Sequence, residues 1–472
     1  MSTESEISRR NFLKNSAKTG AGLAALSGIT FITHPERVFG ANDRVQVGVC
    51  GLRGMGWGHV QAYGAMKDAA VAAVCEVDEN VLNQRLAEMD KMGLPKPKTF
   101  IDVRKLMDDK SIDAVSIATP NHWHSLIGIW ACQAGKDVYV EKPCSHNWWE
   151  GRQLVRAANK YNRIVQHGTQ SRSGVAVIEA VQKMREGLIG EIYLSRGLCF
   201  KVRDTIGKTP HAPVPVGVHY DLWTGPAPLK PFTKNRFHYN WHWIWDTGNG
   251  DLGNQGIHEL DVARWGLGVD FPVKASAIGG HFMFDDDQQT PNTLNCAYEF
   301  ETPDGKRKML EFEVRHWITH HEAEIGSGYK SEGVPPAGLN APPSKIARSA
   351  GNTIGNIFYG SKGYVGIEGY SAYKSWLGDN QEPGPEGNGG GNNWANFIQV
   401  VQSRKKEDLH APIEEGHKSA TLIHLANASY RLGRTIQFDP KTEKAVNDDQ
   451  ANRLLRDGDR GYRAPYVVPE KV

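Results

Sequence analysis

Six residues, Gly51-Leu52-Arg53-Gly54-Met55-Gly56, close one apolar run and open a helical one. This is a pattern for holding phosphate. Glycines let the backbone come close to a pyrophosphate, and a helix N-terminus offers free N–H groups and a positive dipole. The spacing departs from G-x-G-x-x-G because Arg53 occupies the second glycine's place; Arg53 either covers the pyrophosphate or reaches toward the ribose. A second β-like run ends at Cys75-Glu76, 25 residues after Gly51. An acid there accepts hydrogen bonds from both ribose hydroxyls and repels a 2′-phosphate, favouring NAD over NADP. The alternative for Glu76 is a solvated charge at a strand end.

The elements around these residues suit the task. From Asp43 to about Gln166, VQVGVC, AVAAVCEV, DAVSIAT, DVYVEKP and RIVQHG read as strands, and GHVQAYGAMK, DENVLNQRLAEMDKM, HSLIGIWACQAG and NWWEGRQLVRAANKY as helices. Continuous apolar strands separated by helices predict a parallel sheet covered on both faces, a doubly wound α/β Rossmann domain spanning 41–168. IATPNHWH (118–124) and EKP (141–143) then fall at carboxyl ends of strands, where open α/β sheets bind ligands. Residues 169–472 read as an α+β domain for substrate binding and oligomerisation. Its sheet is large and mainly antiparallel, from VKASAIGGHFMF, TLNCAYEFE and RKMLEFEVRHW. SGVAVIEAVQKMREG and HKSATLIHLANASYRLGR read as helices, and QEPGPEGNGGGNN as a flexible Gly-rich surface loop.

The glycine turn, the acid ending strand two, TPNxxH and EKP, in this order and spacing, resemble the Gfo/Idh/MocA family of sugar oxidoreductases. The resemblance covers most of 44–172 and returns at 250–265 and in the last helix. It implies a nicotinamide held against EKP, with Lys142 near both the reacting hydroxyl and the cofactor. It also implies a dinucleotide cleft lined by Gly51, Arg53, Gly54, Met55, Gly56, Glu76, Thr119, Asn121, His124 and Glu141. The residue before a proline is biased to an extended backbone, which aims Lys142 into the crevice.

In the family's second-domain signature an Asp precedes a His by four residues, and here the pair is Asn254 and His258. A spacing of four puts both on one helical face. An ordinary histidine titrates near neutrality, so His258 can take a hydroxyl proton as hydride leaves the same carbon. Asn254 cannot take a proton, but it can orient a ring or a sugar hydroxyl. Either Lys142 and His258 share the acid–base work, or Asp251, Glu259, Asp261 or Asp221 substitutes. FHYNWHWIWD (237–246) alternates Trp241, Trp243 and Trp245 as a strand with one aromatic face, either a sugar platform or a buried core face. Tyr220, Asp221 and Trp223 are further substrate-side candidates. His316, His320 and His321 match no strong ligand spacing, so no metal is expected.

The composition, 39% hydrophobic and 23% charged, suits a globular chain. Without its first 40 residues the chain has as many acids as bases, so nothing asks for nucleic acid or an anionic membrane. Those 40 residues hold SRRNFLK, an apolar run AGLAALSGITFI, and small residues Val38 and Gly40 before Ala41. They resemble a twin-arginine signal, which exports folded proteins, and predict a soluble periplasmic or secreted protein with the export machinery as a transient partner. No disulfide is expected among the six cysteines. A protein that leaves the cytoplasm with NAD must hold it tightly and restore it in place. Three functions remain: a sugar or glycoside dehydrogenase, a redox-neutral NAD-dependent glycosidase or epimerase working by transient oxidation, and an inactive carbohydrate-binding protein. A homo-oligomer is expected.

Overall fold

The computed structural model describes residues 43–316, 322–325 and 352–472; the export-signal segment, His320 and His321 lie outside these. The first layer is built from β1 (Val45–Cys50), α1 (Met55–Gly64), β2 (Ala69–Cys75), α2 (Glu79–Lys91), β3 (Lys98–Phe100) and α3 (Val103–Asp108). It continues through β4 (Ala114–Ile117), α4 (Asn121–Gln133), β5 (Asp137–Val140), α5 (Trp148–Lys160) and β6 (Val165–His167). The six strands pair in parallel in the order β3-β2-β1-β4-β5-β6. Val45, Val47, Val49, Val115, Ile117, Val138 and Val140 are all buried, as a sheet covered on both faces requires. The strand order reverses between β1 and β4, which opens a crevice at their carboxyl ends. The glycine turn, TPN and EKP all meet there.

The second layer begins with α6 (Val175–Arg185), β7 (Ile192–Phe200), α7 (Tyr220–Thr224) and α8 (Ile257–Leu267). It runs on through β8 (Lys274–Gly280), β9 (Thr293–Glu301), β10 (Arg307–Arg315), β11 (Thr353–Gly360), β12 (Gly363–Glu368) and β13 (Ala372–Leu377). Then come β14 (Glu382–Pro383), β15 (Gly387–Asn388), α9 (Asn393–Ser403), α10 (Ile413–Leu432), β16 (Ile436–Asp439), β17 (Lys444–Ala445) and α11 (Asp449–Asp457). Among the described residues the sheet has 11 strands, mostly antiparallel, with β7 and β10 paired in parallel. α8 and α10 cover one face and bury Tyr298, Phe312 and Phe358, while Ile278 on the other face is 77% exposed.

Two expectations are corrected here. FHYNWHWIWD is no strand: His242 N–H bonds Tyr239 C=O and Ile244 N–H bonds Trp241 C=O, making a 3₁₀ turn at Asn240–Trp243. The alternation of tryptophans is therefore incidental, because Trp241 and Trp243 are both packed inside. The Gly-rich segment is not wholly loop, since β14 and β15 both pair with β13.

The two layers are tied by a buried ion pair. Arg172, just after β6, donates from Nε and Nη2 to the two oxygens of Asp261 on α8 at 2.8 and 2.9 Å, and Ser419 Oγ on α10 adds a third bond at 2.6 Å. Burial works against the Asp261 carboxylate, but the Arg172 charge outweighs it and holds the pKa low. Arg172→Met is expected to cost about 3–5 kcal/mol, because it strands a buried charge. Urea unfolding followed by tryptophan fluorescence measures it.

Candidate active site

A cavity of about 450 Å³ opens at the carboxyl ends of β1, β2, β4 and β5. Gly51, Arg53, Gly54, Met55, Glu76, Thr119, Asn121, His124, Glu141, Lys142, Trp223 and Asn254 all line it. Gly56 lies beneath the turn. A Cβ on Gly56 would sit 1.9 Å from the Gly51 carbonyl oxygen, and Gly51 itself has φ +82 with Ala118 O 2.8 Å from its own would-be Cβ. The turn therefore closes only with no side chain at 51 and 56. Gly56→Ala is expected to weaken dinucleotide binding about 5- to 150-fold, since overpacking costs about 1–3 kcal/mol. Calorimetric titration with NAD reads it directly.

Glu76 sits between the glycine turn and the cavity. Its carboxylate accepts the Leu52 N–H at 2.8 Å, the Val77 N–H at 2.8 Å and the Asp78 N–H at 3.1 Å, bracing the glycine turn. A carboxylate offers about four acceptor sites, so one remains for a ribose hydroxyl. Burial raises its pKa despite these three bonds.

TPN and EKP are strapped together by His124, whose Nδ1 lies 2.6 Å from Pro143 O and whose Nε2 lies 2.6 Å from Thr119 O. Both ring nitrogens face main-chain carbonyls, so His124 positions the crevice wall instead of offering a free nitrogen to a cofactor. Thr119 Oγ1 and Asn121 Nδ2 are buried without partners among the described residues. Two unspent polar groups, a turn without room for side chains at 51 and 56 and an acceptor at Glu76 together fit a dinucleotide. Glu141 is turned inward: Oε1 meets His59 Nε2 at 3.1 Å, His59 Nδ1 meets Ser116 Oγ at 2.8 Å, and Ser116 meets Tyr63 OH at 3.2 Å. Burial opposes the Glu141 charge, but His59 and Lys142 overcome it and the pKa falls. Its contribution is a fixed anion behind Lys142.

Lys142 Nζ donates to the main-chain oxygen of Asn254 at 2.7 Å. Burial lowers the Lys142 pKa, with Glu141 working the other way. Asn254 and His258 do not share one regular helical face, because Leu252–Gly256 forms a π-helical turn that runs into α8. An i→i+5 turn shifts the angular register, so Asn254 lines the cavity while His258 sits behind it, 96% buried. His258 still feels Lys142: burial first, then the charges of Lys142, His167 and Lys201, hold its pKa well below the usual range. It is a neutral base with Nδ1 unpartnered among the described residues.

Of the four substitute acids, three are committed elsewhere. Asp251 is paired with Arg203, Asp261 with Arg172, and Asp221 lies at the surface 2.5 Å from Arg463. Glu259 remains. It is buried, its pKa is raised to about 8 by burial, and Oε2 has no partner among the described residues. Gln255 Nε2 lies 3.1 Å from Glu259 Oε1 and 2.6 Å from Tyr370 OH, and Lys201 Nζ bonds Gln255 Oε1 at 3.2 Å. Sequence reasoning missed Lys201, Gln255 and Tyr370. Gln255 stood next to Asn254, but nothing local marks the other two.

Of the substrate candidates, Trp223 lines the cavity, Tyr220 stacks on Trp223 at 5.5 Å inside an aromatic knot, and Asp221 is outside. Trp243 is buried beneath the Arg203 guanidinium at 4.8 Å and is no sugar platform. Trp241, His238, Tyr239 and His242 line the cavity in its place. No group of three or more metal-ligating side chains occurs among the described residues, and no helix there is long and apolar enough to cross a membrane.

Comparison with known proteins agrees with this geometry. The profile of the Gfo/Idh/MocA oxidoreductase family, NAD-binding Rossmann fold, matches residues 45–169, and its C-terminal alpha/beta domain matches 191–311 and 361–467. The chain belongs to the Gfo/Idh/MocA family, and the NAD-binding Rossmann region of that family spans the strands whose carboxyl ends open into the cavity. A glycosyl hydrolase family 109 protein of Shewanella baltica is 28% identical over 203 residues, 39% of this chain and 44% of that relative. One of Saccharopolyspora erythraea is 26% identical over 272 residues, 53% of each. The match thus spans about half the length of these relatives. Among solved structures, an aldose-aldose oxidoreductase of Caulobacter crescentus has TM-score 0.60 at 17% identity, covering 84% of this chain and 100% of that one. The WlbA dehydrogenase of Bordetella pertussis, in complex with NADH and UDP-GlcNAcA, has 0.58 at 16%, covering 84% and 98%. At these identities the likeness is one of fold.

Proposed function

We propose that the protein is a sugar or glycoside dehydrogenase with a tightly held NAD. The observation that carries the reading is the Lys142 ammonium in the dinucleotide cavity, hydrogen-bonded to the Asn254 carbonyl beside a neutral, buried His258. Bound NAD supplies the hydride acceptor. Lys142 holds the substrate hydroxyl oxygen and stabilises its developing negative charge. In this reading the hydroxyl proton leaves by way of Lys142, which lines the cavity, toward His258, which does not, and Glu141 balances the lysine charge. Glu76 favours NAD over NADP through its position at the end of β2. The substrate-binding domain of this reading is 169–472, with Trp223 and Trp241 as cavity aromatics for a sugar face. Residues 1–40 are proposed as a twin-arginine signal, giving a periplasmic or secreted protein. Association into a homo-oligomer would use the open face of the large sheet, where Ile278 and Met309 are exposed.

A second reading, redox-neutral glycoside cleavage, is favoured by the similarity to glycosyl hydrolase family 109 proteins. Turnover of glycosides with and without an added electron acceptor separates the two. Oxidised sugar formed in step with acceptor consumption supports the dehydrogenase; released aglycone without acceptor consumption supports the second.

A further inference from the structure

Asp251 lies just ahead of the π-helical turn and is 2% exposed. Arg203 Nε donates to its Oδ2 at 2.7 Å and Nη2 to its Oδ1 at 2.8 Å, and His316 Nε2 also lies against Oδ2. Burial would raise the Asp251 pKa, but Arg203 and His316 reverse that and keep the carboxylate ionised. Both partners are themselves fixed, since Arg203 lies 4.8 Å over the Trp243 ring and His316 packs edge-on to it at 5.8 Å. An ionised carboxylate only accepts hydrogen bonds. The group 3.1 Å from Asp251 Oδ1 must therefore be the Asn254 NH₂, which settles the amide's orientation on chemical grounds. One N–H of that NH₂ is given to Asp251, which leaves Oδ1 as the amide's acceptor end, and the residue lines the cavity beside Lys142.

We infer that Asp251 is a positioning residue that locks the Asn254 amide with Oδ1 toward the cavity, so that Asn254 accepts a hydrogen bond from a second hydroxyl of the carbohydrate. Lys142 and Asn254 then form a paired reader, an ammonium that donates to one hydroxyl oxygen and a carbonyl that accepts from another hydroxyl. The reader selects a polyol whose two hydroxyls lie close together and disfavours analogues lacking the second. A site built to bond a hydroxyl discriminates strongly against its loss, because the site's own polar group is left unpaired. The inference rests on the proposed carbohydrate function.

The test is calorimetric titration of the holoenzyme and its Asn254→Leu and Asp251→Asn variants with methyl hexosides and their monodeoxy analogues. In the parent, one deoxy analogue is expected to bind about 10-fold more weakly than its full glycoside, the loss of one hydrogen bond. In N254L the full glycoside should weaken by the same factor and the deoxy analogue should lose nothing further. D251N presents an amide that can donate or accept, so it no longer dictates which end of Asn254 faces it, and the deoxy penalty should shrink. A coupling of this kind is not produced by a merely structural residue. Equal deoxy penalties in parent and N254L would overturn the role of Asn254, and a parent-like deoxy penalty in D251N would overturn that of Asp251. A folded, NAD-loaded parent that binds none of the glycosides would overturn the carbohydrate function, and this inference with it.

Discussion

Lys142→Met is expected to lower turnover by about 10²–10³-fold, the range lost when one donor to a developing negative charge is removed. Methionine keeps most of the stem's packing volume and removes only the ammonium. Nucleotide content should change little, because the groups that would hold the pyrophosphate and the ribose are the glycine turn and Glu76, which the substitution leaves in place. The loss should fall on kcat, since the ammonium acts on charge that develops on the hydroxyl oxygen during the reaction. His258, relieved of a nearby positive charge, should titrate higher, and the acid limb of the residual rate profile should move up in pH. Steady-state and single-turnover rates with sugar check the first effect, and the pH profile checks the second. A variant within about threefold of its parent would remove Lys142 from the chemistry.

The second large effect is loss of the fold in mild acid. His122, His146, His167, His258 and His424 are buried, and burial holds each below the ordinary 6.5, to about 3 for His122 and His424 and about 4 for His167. Their pKa values are depressed in the native state. Below pH 6.5 the unfolded chain therefore takes up protons that the native protein refuses, and stability falls with pH. Each such proton is worth about 1.4 kcal/mol per pH unit. Glu259 opposes this. Its raised value of about 8 means that the native state binds the extra proton, so its contribution is present below the ordinary 4.5 and lost as pH rises toward 8. Glu76, Glu150 and Asp137 are raised by burial in the same sense. Between pH 6.5 and 4.5 the five histidines outweigh them, and the urea midpoint should drop steadily through that window. A midpoint unchanged from pH 7 to 4.5 would mean that these rings are hydrated in the native state.

Most of the first layer was legible because its rules are local. VQVGVC, DAVSIAT and DVYVEKP are apolar throughout, and a parallel strand covered on both faces demands that. The dinucleotide crevice followed, since a glycine turn, an acid and two strand ends converge once the sheet order is known. What sequence could not show was side-chain commitment. Glu141 faces His59, 82 residues away, and Asp261 faces Arg172, 89 residues away. Asp221, read as a substrate contact, instead meets Arg463. The tryptophans at 241, 243 and 245 satisfied a period of two by coincidence, because three-residue turns around Tyr239 and Trp241 curl the backbone. The π-helical turn at Leu252–Gly256 was equally hidden. A spacing of four promises one face only where the helix is regular, and the polar cluster of Gln255, Tyr370 and Lys201 exists because it is not.

The central claim is that a nicotinamide lies against a sugar carbon in the cavity of Lys142 and Asn254. Its most direct test is the near-ultraviolet absorbance of purified, NAD-loaded protein as sugars and glycosides are added one at a time, without any external acceptor. The account predicts that at least one of them reduces the bound nicotinamide, giving the band of the dihydro form, and that Lys142→Met slows the change by about 10²–10³-fold. Protein that takes up no nicotinamide dinucleotide, or takes it up and shows no reduction with any carbohydrate, would contradict it.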